Sequence, residues 1–242
     1  MTIAEGKIEL IELLKNLVYG LRIEWVSLSQ IRILPGQCIS ADGQELIVSL
    51  SNIALDITAS GAGGLDTGVE APSSWYYVWL IKNIATNDVS AVLSASSTSP
   101  TLPAGYTKRR RIGAVRNDAS SNFLNFLQFG IGVDREYQYR EQVNTTLRVL
   151  SGGTAATWTD IDCSAFVPST SVWPYLSAQN DKTAAGTAGE LRTKGSTVIQ
   201  RRVTTSDGRI FYLETDAAQT IQYQRISAAT INISVLGFRE EL

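Results

Sequence analysis

The chain has 242 residues and a formal net charge of −2 at pH 7, long enough for one large domain or two ordinary ones with cores that need no metal or disulfide. It contains no histidine, which removes the commonest general base, the commonest metal ligand and every His-dependent triad. The near-neutral balance lacks the basic excess of a protein that coats nucleic acid, so no nucleic-acid partner, metal or cofactor is expected.

Cys38 and Cys163 lie far apart with no metal-like spacing. They read as two buried small apolar residues, with one long-range disulfide as the alternative. No stretch is long and apolar enough to span a membrane. Glu5, Lys7, Glu9, Glu12 and Lys15 interrupt what would have to be the apolar core of a signal peptide. Folding in a cytoplasm, without membrane insertion, is expected.

Residues 3–21 (IAEGKIELIELLKNLVYGL) carry the one helical pattern. Ile3, Leu10, Leu14, Leu17 and Leu21 follow steps of four and three, with Lys7 in one seam position, while Ile11, Leu13 and Val18 widen the stripe. Such a helix packs on its own domain, or it serves as a short multi-chain seam or a docking element; fewer than three heptads leave both open.

From Trp25 onward the period changes to two. QIRIL (30–34) reads as a strand, Pro35 and Gly36 as a turn, and QCISA (37–41) as the next strand. Asp42 and Gly43 signal a tight turn, and ELIVSL (45–50) and IALDI (53–57) follow. The glycine-rich 59–74 is a loop. WYYVWLIKN (75–83) is the strongest strand, with Trp75, Tyr77 and Trp79 on one face, Tyr76, Val78 and Leu80 on the other, and both faces covered. AVLSASS (91–97) is its expected partner.

After a proline-bearing loop, KRRRIGAVRN (108–117), a polar turn and FLNFLQFGIGV (123–133) form a hairpin pattern. In a strand, Lys108, Arg109, Arg110 and Arg111 divide two and two between the faces. Their stems cover apolar surface while the charges reach water or carboxylates. An ion-paired or interface strand is expected, within or between subunits.

The polar segment 135–146 reads as a linker, extended in form. Strand patterns then recur over 145–151, 158–168, 172–179, 189–195, 196–205, 209–215, 219–227 and 230–240, with 196–205 and 209–215 forming a hairpin around Ser206, Asp207 and Gly208. Spacings of about ten to twelve residues with turns between indicate a sandwich or jelly-roll. The expected organisation is mainly β: an N-terminal helix over 1–24, a first β domain over 25–134, a linker over 135–146 and a C-terminal β-sandwich over 147–242. Both domains are read as antiparallel, sandwich- or barrel-like.

Catalytic constellations are weak. Asp160 and Asp162 point the same way from a strand, yet acceptance of hydrogen bonds or ion pairing explains them better than shared acid–base work. The glycines of GAGGLDTG do not join a strand to a helix, so they make no phosphate loop. Trp75, Tyr76, Tyr77 and Trp79 read as core before they read as a sugar platform. No catalytic residues are assigned.

TLPAGYTKRRRIGAVRND (101–118), the aromatic strand before it and the early RILPGQCISADG hairpin together resemble a recurring element of tailed-bacteriophage virion proteins. DIDCSAFVPST, ELRTKGS, TIQYQRIS and INISVLGF are similar to pieces of phage fibre-type β-sandwich modules. The resemblance implies a non-enzymatic structural component of the virion, a homotrimer assembled in the host cytoplasm. As a short tail fibre or baseplate-associated protein, it would dock on other virion proteins through the stripe of Ile3, Leu10, Leu14, Leu17 and Leu21. Its outer sandwich would touch a host cell-surface glycan or protein. A capsid decoration or head fibre is the alternative. A tailspike-like carbohydrate enzyme is a third reading, disfavoured because no β-helix repeat is present.

Overall fold

The computed structural model describes residues 16–143, 145–181, 186–204 and 209–242. These residues are mainly β, arranged in several antiparallel sheets, and hold no α-helix. The chain divides into two compact units, one of Met1–Arg135 with Glu241–Leu242 and one of Glu136–Glu240.

In the first unit the strands are β1 (Val18–Gly20), β2 (Ile23–Trp25), β3 (Gln30–Ile33), β4 (Gly36–Ile39), β5 (Leu46–Ser49), β6 (Ile53–Asp56), β7 (Trp75–Lys82), β8 (Val89–Ser94), β9 (Lys108–Arg116) and β10 (Phe126–Phe129). The first nine make three three-stranded sheets, in the orders β1-β4-β5, β2-β3-β6 and β8-β7-β9, and β10 pairs with the strand that follows it. Alternation places Ile31, Ile33, Ile47 and Leu55 inward. The Asp42-Gly43 turn joins β4 to β5, with Gly43 at φ 73° and its N–H donating to the Ser40 carbonyl.

β7 is buried along nearly its whole length. Tyr77, Trp79 and Ile81 form one cluster with Val92 of β8 and Ala114 of β9, and Trp75, Leu102 and Tyr106 pack against it. AVLSASS is its partner as expected, in a register running from Tyr77↔Ser94 to Lys82↔Val89.

The expected helix is corrected where it can be followed. Ile3, Leu10 and Leu14 lie outside the described residues. Val18–Gly20 is a strand paired with Gly36–Cys38, so Leu17 and Leu21 share no helical stripe. Gly20 turns the chain at φ 67° and Leu21 follows at φ 55°, fully buried. A glycine in a left-handed conformation ends a helix, and the β4 ladder satisfies the same amides that a last helical turn would have used.

The expected hairpin of 108–117 with 123–133 is also corrected. β9 pairs with β7 from Trp75↔Arg116 to Lys82↔Lys108. A short hairpin at its end meets the following segment through the bridge Asn117↔Phe123, the Leu124 N–H to Arg116 carbonyl bond and the Asp118 N–H to Asn122 carbonyl bond. Covering the aromatic face of β7 buries more apolar surface than the short FLNF segment offers.

The second unit begins within β11 (Asp134–Tyr139) and continues with β12 (Arg148–Gly153), β13 (Thr159–Asp162), β14 (Trp173–Asn180), β15 (Gly189–Thr193), β16 (Arg201–Val203), β17 (Arg209–Tyr212), β18 (Thr220–Arg225) and β19 (Ile231–Glu241). One sheet runs β11-β19-β14-β17 with β12 also on β19; the other runs β13-β18-β15-β16. The start of the expected linker is therefore strand β11, whose Tyr137 is buried and stacked on Phe238, with ring centroids 4.4 Å apart. Segments 196–205 and 209–215 do not form their expected hairpin. β16 joins β15 and β17 joins β14, in different sheets. Pro174 is tolerated because β17 pairs with β14 only from Tyr175 onward, leaving no second neighbour at its missing N–H.

Candidate interaction surface

The basic strand is built on β7. Direct pairing of Trp79 with Arg111 and Ile81 with Arg109 puts those two arginines on the aromatic face, whereas Leu80↔Arg110 and Lys82↔Lys108 share the opposite face. A bulge between Val78 and Trp79 sets Ile112 as the extra residue, and beyond it Ile112–Val115 is buried. The two-and-two division holds.

Each cation reaches a partner in the first unit. Lys108 Nζ donates to Asp42 Oδ2 and to Gln44 Oε1, both at 2.7 Å. Beside it, Lys82 Nζ donates to Glu45 Oε2 at 3.0 Å and to the Leu46 carbonyl at 3.1 Å. The Arg109 guanidinium lies 6.0 Å from the centroid of Trp79, and Arg116 repeats the contact 5.7 Å from Trp75. Arg110 Nη2 donates to the Leu242 carbonyl at 3.1 Å, and Arg111 Nη2 donates to the Glu241 carbonyl at 3.3 Å.

The electrostatics follow. Burial alone would raise Asp42, but the Lys108 ammonium, the Ser40 hydroxyl and the Gln44 N–H outweigh it and hold the carboxyl at about 2. Burial lowers Arg110 from its ordinary value, and the like charge of Arg111 adds to that. Cys38, beside Arg110, is a free buried thiol pushed up to about 12 by burial. Cys163, in the second unit, is likewise free and pushed up to about 12 by burial.

The partners of Lys108–Arg111 had no sequence signal, because Asp42 is 66 residues away and Leu242 is 132 residues away from the side chains they meet. Arg135 was passed over as linker. It is almost fully buried, and its guanidinium donates to the Gly20 carbonyl at 2.6 Å and the Gly130 carbonyl at 3.3 Å. It floors a cleft of about 900 Å³ lined by Val18, Tyr19, Leu34, Pro35, Ile131 and Val133 among others.

In the second unit, Asp160 pairs with Lys194 at 2.6 Å and accepts from Gln222 at 2.8 Å, and Asp162 accepts from the Ser164 N–H at 2.8 Å. Both carboxylates thus do hydrogen-bonding work at a strand. Arg192 lies 4.0 Å from the centroid of Trp158 on the same outer face. On the other sheet, Trp173 is exposed, and two residues on, Tyr175 faces Tyr212 with centroids 5.0 Å apart. Burial pushes the Tyr212 phenol well above its ordinary value, and the nearby Glu136 carboxylate adds to this.

Among the described residues, no helix is long and apolar enough to cross a membrane, and no three His, Cys, Asp or Glu side chains form a group that could hold a metal. Comparison with protein-family models, with curated proteins and with solved structures finds no match.

Proposed function

We propose that the chain is a non-enzymatic structural component of a tailed-phage virion, a short tail fibre or baseplate-associated protein working as a homotrimer. Its two β units are read as sandwich- or barrel-like domains, the first held to the particle through the N-terminal segment and the second turned to the host. One observation carries the reading. The aromatic strand and the basic strand, two of the pieces that carry the phage resemblance, pair with each other along eight register positions from Trp75↔Arg116 to Lys82↔Lys108. The LPAGY turn that leads into the basic strand closes with the Tyr106 N–H on the Pro103 carbonyl. These two similar pieces thus adjoin in one sheet. In the second unit, the exposed Trp173 beside the Tyr175–Tyr212 pair offers an aromatic contact for a host glycan or protein.

Gold-labelled antibody against the chain, applied to intact virions and viewed by electron microscopy, tests the proposal. Label at the tail end supports the fibre or baseplate reading. Label over the head replaces it with a capsid decoration or head fibre, and unlabelled particles reject a virion role.

A further inference from the structure

We propose that the Trp173 end of the β11-β19-β14-β17 sheet binds a neutral pyranose unit of a glycan. The register builds the patch. Tyr137 of β11 stacks on Phe238 of β19 inside the unit, so Glu136 and Gln138 turn to the outer face together with Gly237 and Arg239. Across the ladder, Trp173 pairs with Arg239 and Tyr175 with Gly237, and Tyr212 of β17 pairs with Tyr175. Direct partners share a face. Three aromatic rings, a carboxylate, an amide and a guanidinium therefore stand on one side of the sheet.

This face is covered at one end and open at the other. Ser177 and Ser234, paired with each other, are buried, and the Ser234 hydroxyl donates to the Val143 carbonyl at 2.7 Å. At the open end Trp173 is 44% exposed, and Arg239 opposite it is exposed as well. Gly237 puts no side chain between them and β11; a Cβ there would overlap the Tyr137 carbonyl oxygen. Over this bare position Glu136 comes near the Tyr212 phenol, although two strands separate β11 from β17. Gln138 Nε2 donates to Glu136 Oε1 at 3.0 Å and fixes the carboxylate.

Size and chemistry select the ligand. Trp173 and Tyr175 lie about 7 Å apart along β14, and β19, β14 and β17 together span roughly 10 Å. The open patch is thus on the order of 100 Å², against the about 800 Å² that each partner of a stable protein contact buries. A single sugar ring matches that area. The C–H face of a pyranose packs on an indole, while its hydroxyls both donate and accept. Glu136 accepts, Arg239 donates, and Gln138 and the phenols do both. One carboxylate and one guanidinium leave the patch without net charge, which favours a neutral sugar over an acidic one. The inference rests on the aromatic contact read above for the second unit and narrows its partner from glycan or protein to glycan.

The test is saturation-transfer difference NMR on the full chain with the methyl glycosides of glucose, galactose, mannose and N-acetylglucosamine, each titrated into the millimolar range. The readout is on the sugar, so removing a tryptophan does not remove the reporter. At least one glycoside is expected to show saturation on its ring protons. Trp173→Ala is expected to weaken that binding about 10-fold or more, with circular dichroism unchanged. Trp173→Phe, which keeps an aromatic face, is expected to retain most of it. Ile226→Ala, at an exposed apolar position of the same unit, is expected to bind as the wild type does. No signal from any of the four sugars overturns the proposal. So does a Trp173→Ala variant that binds with wild-type affinity, or an Ile226→Ala variant that loses as much as Trp173→Ala. Sugar binding is decided on the purified chain and the virion role by the gold label, so failure of one is distinguishable from failure of the other.

Discussion

Asp42 shows how a turn residue becomes an electrostatic anchor. Its Oδ1 accepts from the Gln44 N–H at 3.2 Å, shaping the turn, while Oδ2 takes the Lys108 ammonium. Because its carboxyl titrates at about 2 instead of 3.8, the folded state gains stability that is fully present above the ordinary value. That stability is lost as pH falls through about 2. The Asp42 side chain is 45% exposed, so solvent screening limits the pair to roughly 0.5–1 kcal/mol, or about 1–3 °C in thermal midpoint. The midpoint gap between wild type and Asp42→Asn is expected to be constant above pH ~5 and to close towards pH 2. A gap that persists at pH 2 would show that the loss is one of turn geometry and not of charge.

At the scale of elements, the β1–β4 ladder depends on two glycines facing each other, Gly20↔Gly36. A Cβ at Gly36 would overlap the Tyr19 carbonyl oxygen and the Leu21 nitrogen, both backbone atoms that cannot swing aside. Gly36→Ala is therefore expected to destabilise the first unit by about 3 kcal/mol, read as a lower denaturant midpoint for that unit's transition. A loss under about 0.5 kcal/mol, the range of an ordinary surface change, would contradict the close approach.

At the scale of the molecule, the chain closes its first unit with its last two residues. The Leu242 N–H donates to the Val133 carbonyl at 2.9 Å, and the Leu242 and Glu241 carbonyls receive Arg110 and Arg111. Truncation after Glu240 removes at least these three hydrogen bonds and is expected to cost the first unit roughly 2–4 kcal/mol. The second unit's unfolding transition should stay in place. Equal losses in both transitions, or none in the first, would refute the assignment of Glu241 and Leu242 to that unit.

Much of the strand content was legible because it is local. Alternation in QIRIL and ELIVSL states which side chains turn inward, Asp42 with Gly43 states where the chain reverses, and the aromatic run of β7 states that both its faces are covered. The candidate site was half legible. Four consecutive cations on a strand must split between its faces, but nothing near them named Asp42, Trp79, Glu241 or Leu242. The helix over 3–21 was misread at its end because Leu17, Val18 and Leu21 satisfy a helical spacing and a β pairing equally well, and only the β4 partner distinguishes them. Hairpins were expected of 108–117 with 123–133 and of 196–205 with 209–215, yet β9 pairs with β7, and β16 and β17 go to separate sheets. By itself, then, the sequence determined a mainly β chain and, outside β1 and β11, most of its strand positions and inward faces, since these follow from the two-residue period and the conformational limits of Gly, Pro and Asp. Which strand pairs with which, and which carbonyl or carboxylate meets each arginine and lysine, the tertiary structure alone decided, because pairing is settled by the total apolar surface buried and the backbone groups satisfied across the whole unit.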